Sequence, residues 1–182
     1  MRALLLLGRA LTAWLHGHAD ILLYLAPSLA LALAMRALTR RHPIFFVFTL
    51  AGTLCHELVH LVAGFVLGAR PASFTVIPKR AGQRWELGSV VLTRVTWYNA
   101  APSALAPLLL ILVPWWVAVL RTRPGWHFQW ADLGLAFLLA PQLLAFWPSN
   151  ADWKIAWRSW PALFIVALAW LCFKYGHSLM RT

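Results

Sequence analysis

The stretch TLCHELVHLVAGF, residues 53 to 65, places two histidines and a glutamate inside an otherwise apolar segment. It lies within a run from about residue 44 to 68 that is long enough to cross a lipid bilayer. Ionisable side chains at membrane depth are costly, and they usually face a protein interior or a water-filled cavity. The three polar side chains therefore indicate a functional site within a membrane helix.

The composition of the whole chain agrees with this setting. Of its 182 residues, 62% are hydrophobic and only 12% are charged, a balance outside the range of soluble domains of this length. We expect an integral membrane protein. The abundance of Ala, Leu, Arg and Trp is compatible with a bacterial inner (plasma) membrane.

The net charge of +11 can be balanced by anionic lipid in a membrane. The basic residues fall mostly between the apolar runs, where anionic lipid headgroups are their natural partner. We therefore expect contact with anionic lipid and discount nucleic acid. The residues concerned are Arg36, Arg40, Arg41, Lys79, Arg80, Arg84, Arg121 and Arg123.

The predicted fold is an all-α polytopic membrane protein, a single domain over residues 1–182. It has about five transmembrane helices, and their lengths fit a hydrocarbon core. Residues 1–18 carry Arg2, Arg9 and His16 at seven-residue intervals, which favours an interfacial amphipathic helix over a simple extension of the first span. The five predicted spans are 19–35, 44–68, 99–120, 131–147 and 155–174.

The connection between the second and third spans, residues 70–98, is too polar to cross a membrane. Val91, Thr93 and Val95 alternate along it in a β-strand pattern. We predict a small β-hairpin at the membrane surface, because open strand edges are not tolerated in lipid.

The central motif is HExxH. His56 and His60 are four residues apart, so a helix places them on one face with Glu57 beside them. Two imidazoles at this spacing bind zinc, and the glutamate acts as general base on zinc-bound water. Chance alone would produce about 0.003 such motifs in this composition. The alternative is a satisfied polar cluster that packs helices together.

A catalytic zinc takes three protein ligands, so one more acid is required. Asp152 follows an apolar run and a proline, in a turn that can present a carboxylate. Glu86, in the predicted hairpin, is the main rival, although a solvated partner for Arg84 or Lys79 explains it more simply. Asp20 and Asp132 are typical of first-turn residues of helices.

These residues resemble the site-2 protease family of intramembrane zinc metalloproteases. The resemblance rests on HELVH in a membrane span, the β element after it, and AFWPSNADW with Pro148 and Asp152. It covers roughly residues 44 to 160. No PDZ-like insertion is visible, so the chain is similar to a minimal member.

The resemblance implies that Asp152 is the third ligand of one zinc ion per chain. Trp153 stands where the family has glycine, and the spacing from proline to aspartate is one residue shorter. The family also carries an asparagine on the helix between the zinc-binding elements, which makes Asn99 a candidate substrate or oxyanion contact. A residue that simply starts a helix is the alternative for Asn99.

The expected activity is hydrolysis of a peptide bond within or near a transmembrane segment of a membrane protein substrate. Zinc would activate water, and Glu57 would act as general base. The hairpin edge, with Val91 and Thr93, would hold the unwound substrate by strand addition. The alternatives are a non-catalytic membrane scaffold or binding protein and a proton or metal transporter, for which repeated broken helices would be expected.

Overall fold

A computed structural model describes residues 8, 12–77, 79–81, 84–86 and 88–179, which are mostly helical, as predicted. Three short 3₁₀ segments join the helices, at Pro43–Thr49, Ala106–Ile111 and Trp157–Ser159. The strands are β1 (Pro71–Thr75), β2 (Lys79–Ala81), β3 (Arg84–Glu86) and β4 (Ser89–Leu92). The helices are α1 (Ala19–Arg41), α2 (Leu50–Val66), α3 (Ala100–Ala104), α4 (Leu112–Arg121), α5 (Trp130–Ala145), α6 (Asn150–Ala156) and α7 (Trp160–Leu179).

Two helical segments in the described part of the chain are long and apolar enough to cross a membrane, Ala19–Arg41 and Ile44–Val66. A third arises only if Trp130–Ala145 and Asn150–Ser159 form one broken span. The prediction of five transmembrane helices is therefore not supported. Shorter apolar helices, Ala106–Arg121 and Phe164–Lys174, occupy parts of the predicted third and fifth spans.

Proline explains why the predicted third span is interrupted. α3 ends at Ala104, and the chain continues as a 3₁₀ segment before α4 begins. Pro107 and Pro114 lie in this region; proline lacks an N–H and cannot complete the α-helical hydrogen-bond ladder. Pro148 has a related effect after α5, since the residue before a proline is disfavoured in helical conformation.

The described chain divides into two compact units. The first comprises Met1–Gly52 and Leu110–Leu144. In it, Ala32 of α1 is buried against Ala140 of α5. Asp132 lies in the first turn of α5, as predicted, and its buried carboxylate accepts hydrogen bonds from Tyr24 (3.0 Å) and Arg121 (2.9 Å). These contacts tie α1, α4 and α5 together.

The second unit comprises Thr53–Leu109 and Ala145–Thr182. Its central helix, α2, ends in a Schellman turn: Ala69 N–H donates to Gly64 O and Gly68 N–H to Phe65 O. Gly68 has a φ of 70°, in the left-handed region that glycine adopts without steric cost. The turn leads the chain from α2 directly into β1.

The predicted antiparallel β element is present in the second unit. β1 pairs with β4, and β2 pairs with β3 between them. Leu92 of β4 packs over Gly64 of α2, where a Cβ would lie only 2.6 Å from its Cδ2 atom. The sheet can therefore approach α2 closely, because residue 64 has no side chain. Its location at the membrane surface stays a prediction.

Small residues also join α3 to α6 in the second unit. Ala101 and Ala104 of α3 are buried together with Ala156 of α6, and such residues let helices approach closely. Ser159 Oγ accepts a hydrogen bond of 2.8 Å from Ala101 N–H. This packing fixes α6, which carries Asp152, against α3.

At the N-terminus, residues 12–17 are helical. The remainder of the amphipathic helix predicted for residues 1–18 lies mostly outside the described residues.

Candidate metal centre

α2 presents His56 and His60 on one face, as the four-residue spacing predicts. Their Nε2 atoms are 3.2 Å apart, and the rings are nearly perpendicular. His56 Nδ1 donates to the carbonyl oxygen of Ala145 at 2.6 Å. His60 Nδ1 donates to the carbonyl oxygen of Ser103 at 2.8 Å. Each ring is thus oriented by a backbone acceptor from another segment of the same unit.

These two hydrogen bonds determine which nitrogen of each ring is available. A carbonyl oxygen only accepts, so each neutral imidazole carries its proton on Nδ1 and leaves Nε2 with a free lone pair. The two lone pairs of His56 and His60 then face each other. Such an arrangement is repulsive unless a metal ion or a proton lies between them. Metal-binding histidines typically donate their other N–H in this way.

Asp152 completes the cluster. It lies in the first turn of α6 and is 9% exposed. Its Oδ2 atom is 3.4 Å from His56 Nε2, and its Oδ1 atom is 3.2 Å from His60 Nε2. A carboxylate oxygen adds a further electron-pair donor, so the three side chains form a group suited to hold a metal ion.

The dimensions of this group fit zinc. In a tetrahedral site, bonds of about 2.0–2.1 Å separate neighbouring ligand atoms by about 3.3–3.4 Å. The observed separations are 3.2 Å between the two nitrogens and 3.2 and 3.4 Å from the nitrogens to the carboxylate. Two imidazoles and one carboxylate are also a donor set found at catalytic zinc. The side chain of Glu86, the rival ligand, lies outside the described residues.

Glu57 lies beside the histidines on α2 and is 8% exposed. The segment before β4 passes directly over it: a Cβ at Gly88 would lie 2.8 Å from Glu57 Cγ and 3.1 Å from Thr53 Cγ2. The backbone at residue 88 therefore limits where the Glu57 side chain can go. A glutamate confined next to a metal-binding group is well placed to act as a base.

A cavity of about 600 Å³ opens onto this centre. His56, Glu57, His60 and Asp152, which we call the site residues, form its polar wall. β4 and the connection between α5 and α6 supply other walls, through Gly88, Val90, Leu92, Trp147 and Ser149. The volume is in the range of small-molecule and cofactor sites. It leaves room beside the site residues for a substrate group.

The structure brings His56, Glu57, His60 and Asp152 together, but it does not bring Asn99 to the cavity. Asn99 is fully buried and starts α3. Its amide NH₂ donates to the carbonyls of Leu67 (3.4 Å) and Arg94 (3.1 Å), and its oxygen accepts from Thr96 N–H. These bonds join the end of α2 to the loop before α3. They favour the helix-start role over the substrate-contact role.

Val91 and Thr93 are likewise not among the residues that line the cavity. Val91 is 50% exposed, and β4 ends at Leu92, before Thr93. The strand residues at the cavity are instead Ser89, Val90 and Leu92. The substrate-contact role of Val91 and Thr93 stays a prediction.

Sequence reasoning missed three features of the centre: the backbone acceptors at Ala145 and Ser103, the close approach of Gly88, and the role of Ser149 beside Asp152. Only the role of Ser149 could have been found from local sequence, because Ser-x-x-Asp resembles the capping-box pattern at the start of a helix. The other two depend on contacts between distant parts of the chain.

No protein-family model, no curated protein and no solved structure matches this chain. The likeness to site-2 proteases therefore stays a resemblance of motifs. The function is inferred from the chain's own residues.

Proposed function

We propose that this chain is a membrane-embedded zinc metalloprotease that hydrolyses a peptide bond within or near a transmembrane segment of another protein. The observation that carries the proposal is the convergence of His56 Nε2, His60 Nε2 and the Asp152 carboxylate beside Glu57. The site residues lie on the wall of a cavity and on a helix within the apolar segment Ile44–Val66.

His56, His60 and Asp152 would hold one zinc ion per chain. When bound, zinc supplies a Lewis acid that makes water nucleophilic near neutral pH. Glu57 accepts the proton of the attacking water on its carboxylate and returns it to the amine that leaves. Its confinement beneath residue 88 keeps the carboxylate oriented for this transfer.

The free edge of β4 is the proposed holding site for the substrate. Among the described strands, β4 pairs on one side only, with β1, and its residues line the cavity. A substrate helix must unwind before water can attack, because its carbonyls are already hydrogen-bonded. An extended segment can replace those bonds by adding to a strand edge.

The proposed location is a membrane, and we favour a bacterial inner membrane on composition. Two apolar segments of sufficient length support the membrane setting. Large apolar side chains also point outward, including Phe65 at 78% exposed and Trp130 at 88%. Exposed apolar surface of this kind is typical of a lipid-facing protein. The basic residues between the apolar runs would meet anionic headgroups.

The first test measures zinc per chain in detergent-purified protein supplied with metal. We expect close to one zinc in wild type, weaker binding in Asp152→Ala and none in the His56→Ala, His60→Ala double variant. A folded wild type without zinc would instead favour a polar cluster whose imidazoles are protonated.

The second test measures catalysis. Wild type and Glu57→Gln are reconstituted in liposomes with a panel of tagged single-span membrane proteins, and the products are identified by mass spectrometry. We expect wild type to cut at least one of them and Glu57→Gln, still loaded with zinc, to be inactive. Equal biological activity in the two proteins would favour the scaffold alternative. Zinc or proton flux into the liposomes would favour the transporter.

A further inference from the structure

The connection between α5 and α6 holds Asp152 through two hydrogen bonds with Ser149. Ser149 is the N-cap of α6, with an extended backbone at φ −69° and ψ 167°. Its Oγ atom accepts a hydrogen bond from Asp152 N–H at 3.2 Å. In return, its N–H donates to Asp152 Oδ2 at 2.6 Å. The pair forms a reciprocal capping box in which the acid is also a proposed metal ligand.

The returning bond from Ser149 N–H is made to Oδ2, the carboxylate oxygen that faces His56. Asp152 Oδ2 lies 3.4 Å from His56 Nε2, whereas Oδ1 lies 3.2 Å from His60 Nε2. The terminal torsion of an aspartate is broad and roughly two-fold, so a carboxylate alone has no preferred plane. A short bond from Ser149 N–H to one oxygen fixes that plane. It also leaves the second oxygen directed at His60.

We propose that Ser149 is a positioning residue for zinc: its capping box presents the Asp152 carboxylate to the site formed with His56 and His60. The inference rests on the proposed zinc site and deepens it. Hydrogen bonds to metal-binding carboxylates are a general device for orienting them, and their loss typically weakens metal binding about 10–100-fold. A serine that only capped a helix would affect stability without this effect on zinc.

The test compares zinc affinity in wild type, Ser149→Ala and Ser149→Thr by competition with a chelator of known affinity. Alanine removes the Oγ acceptor and loosens the turn that holds the N–H, so we expect zinc binding about 10-fold weaker. Threonine retains the acceptor, so we expect affinity close to wild type. If Ser149→Ala does not fold, Ser149→Gly replaces it, since glycine is tolerated at N-caps.

Ser159→Ala is the matched control. Ser159 also accepts a backbone N–H in the same unit, from Ala101 at 2.8 Å, but it contacts none of the three proposed ligands. We expect this variant to lose stability and keep the zinc affinity of wild type. Equal loss of affinity in Ser159→Ala would overturn the inference, because the effect would then be general.

Zinc binding by wild type distinguishes a failure of the Ser149 positioning role from a failure of the proposed function. If wild type binds zinc and Ser149→Ala binds it equally well, only the positioning role is refuted. If folded wild type binds no zinc, the proposed function fails, and the positioning role fails with it.

Discussion

The backbone carbonyls of Ala145 and Ser103 determine which ring nitrogen of His56 and His60 faces Asp152. The carbonyls of Ala145 and Ser103 accept hydrogen bonds from the two Nδ1 atoms, so in the neutral imidazoles both Nε2 atoms present lone pairs toward Asp152. A helix with HExxH spacing but without these acceptors would leave the rings free to rotate. The motif therefore supplies the ligands, and their surroundings supply the orientation.

Gly88 should be required for catalysis but not for zinc binding. A Cβ at this position would lie 2.8 Å from Glu57 Cγ and 3.2 Å from the carbonyl oxygen of Thr75, so Gly88→Ala must displace Glu57, the proposed general base. We expect peptide cleavage to fall about 10–100-fold, since small misplacements of reacting groups have effects of this size. Zinc content should stay near one per chain.

Gly134→Ala provides the comparison, because a Cβ at that position would meet no atom within 4 Å apart from its chain neighbours and the nearby backbone of its own helix. It should cleave substrate like wild type. Wild-type cleavage by Gly88→Ala would show that this contact does not constrain Glu57.

The elements of the second unit are arranged by the turn after α2. The Schellman turn at Gly68 sends the chain into β1, and β4 returns along β1 past the site. Thr93 N–H donates to Arg70 O, on the β1 side. Arg94 N–H likewise donates to Ala69 O, so the contact with the chain before β1 continues past the end of β4.

Proline removes a backbone N–H from a strand, so Val90→Pro should weaken substrate binding at the β4 edge. We expect at least a several-fold rise in KM for any panel protein that wild type cleaves. The control, Val90→Ala, keeps the N–H and should retain most of the activity. Val91→Pro removes the neighbouring N–H, and since neighbouring donors of a strand point to opposite sides, one of the two variants loses a free-edge donor. Unchanged cleavage by both well-folded proline variants would refute strand addition.

The whole molecule buries few large side chains in its described part. Most fully or nearly buried apolar residues are alanines, whereas many leucines, phenylalanines and tryptophans point outward. Packing through small residues is characteristic of helices in membranes, where lipid and leucine are equally apolar and close approach supplies the attraction. This distribution is the expected one if lipid, rather than water, surrounds the helices.

Leu29 tests the membrane setting. It lies near the middle of Ala19–Arg41 and is 53% exposed. Arginine at the centre of a membrane helix costs about 2.5–3.5 kcal/mol in insertion experiments, so Leu29→Arg should reduce the fraction that resists alkaline extraction from membranes. Leu29→Ala should insert like wild type. Equal insertion of the arginine variant would contradict a spanning role for α1.

Much of the candidate site follows from local sequence. The four-residue spacing of His56 and His60 places them on one helical face, and the turn before Asp152 was recognisable from Pro148. The β element and the mostly helical fold were predicted from alternation and apolar runs in the same way. The count of five transmembrane helices is not supported in the described part of the chain, where the predicted third span is broken near Pro107. Alternation predicted the strand but not which of its residues line the cavity, which are Ser89, Val90 and Leu92.

The sequence by itself therefore determined the chemical types available: two imidazoles and a carboxylate suited to zinc, and a glutamate beside them in an apolar helix. Only the tertiary structure decided which nitrogen of each ring is hydrogen-bonded to a carbonyl, which oxygen of Asp152 faces which histidine, and that Asn99 bonds to Leu67, Arg94 and Thr96. Spacing along a helix is set by its own backbone hydrogen bonds. These other choices depend on hydrogen bonds between segments that are distant in the chain, which no local pattern specifies.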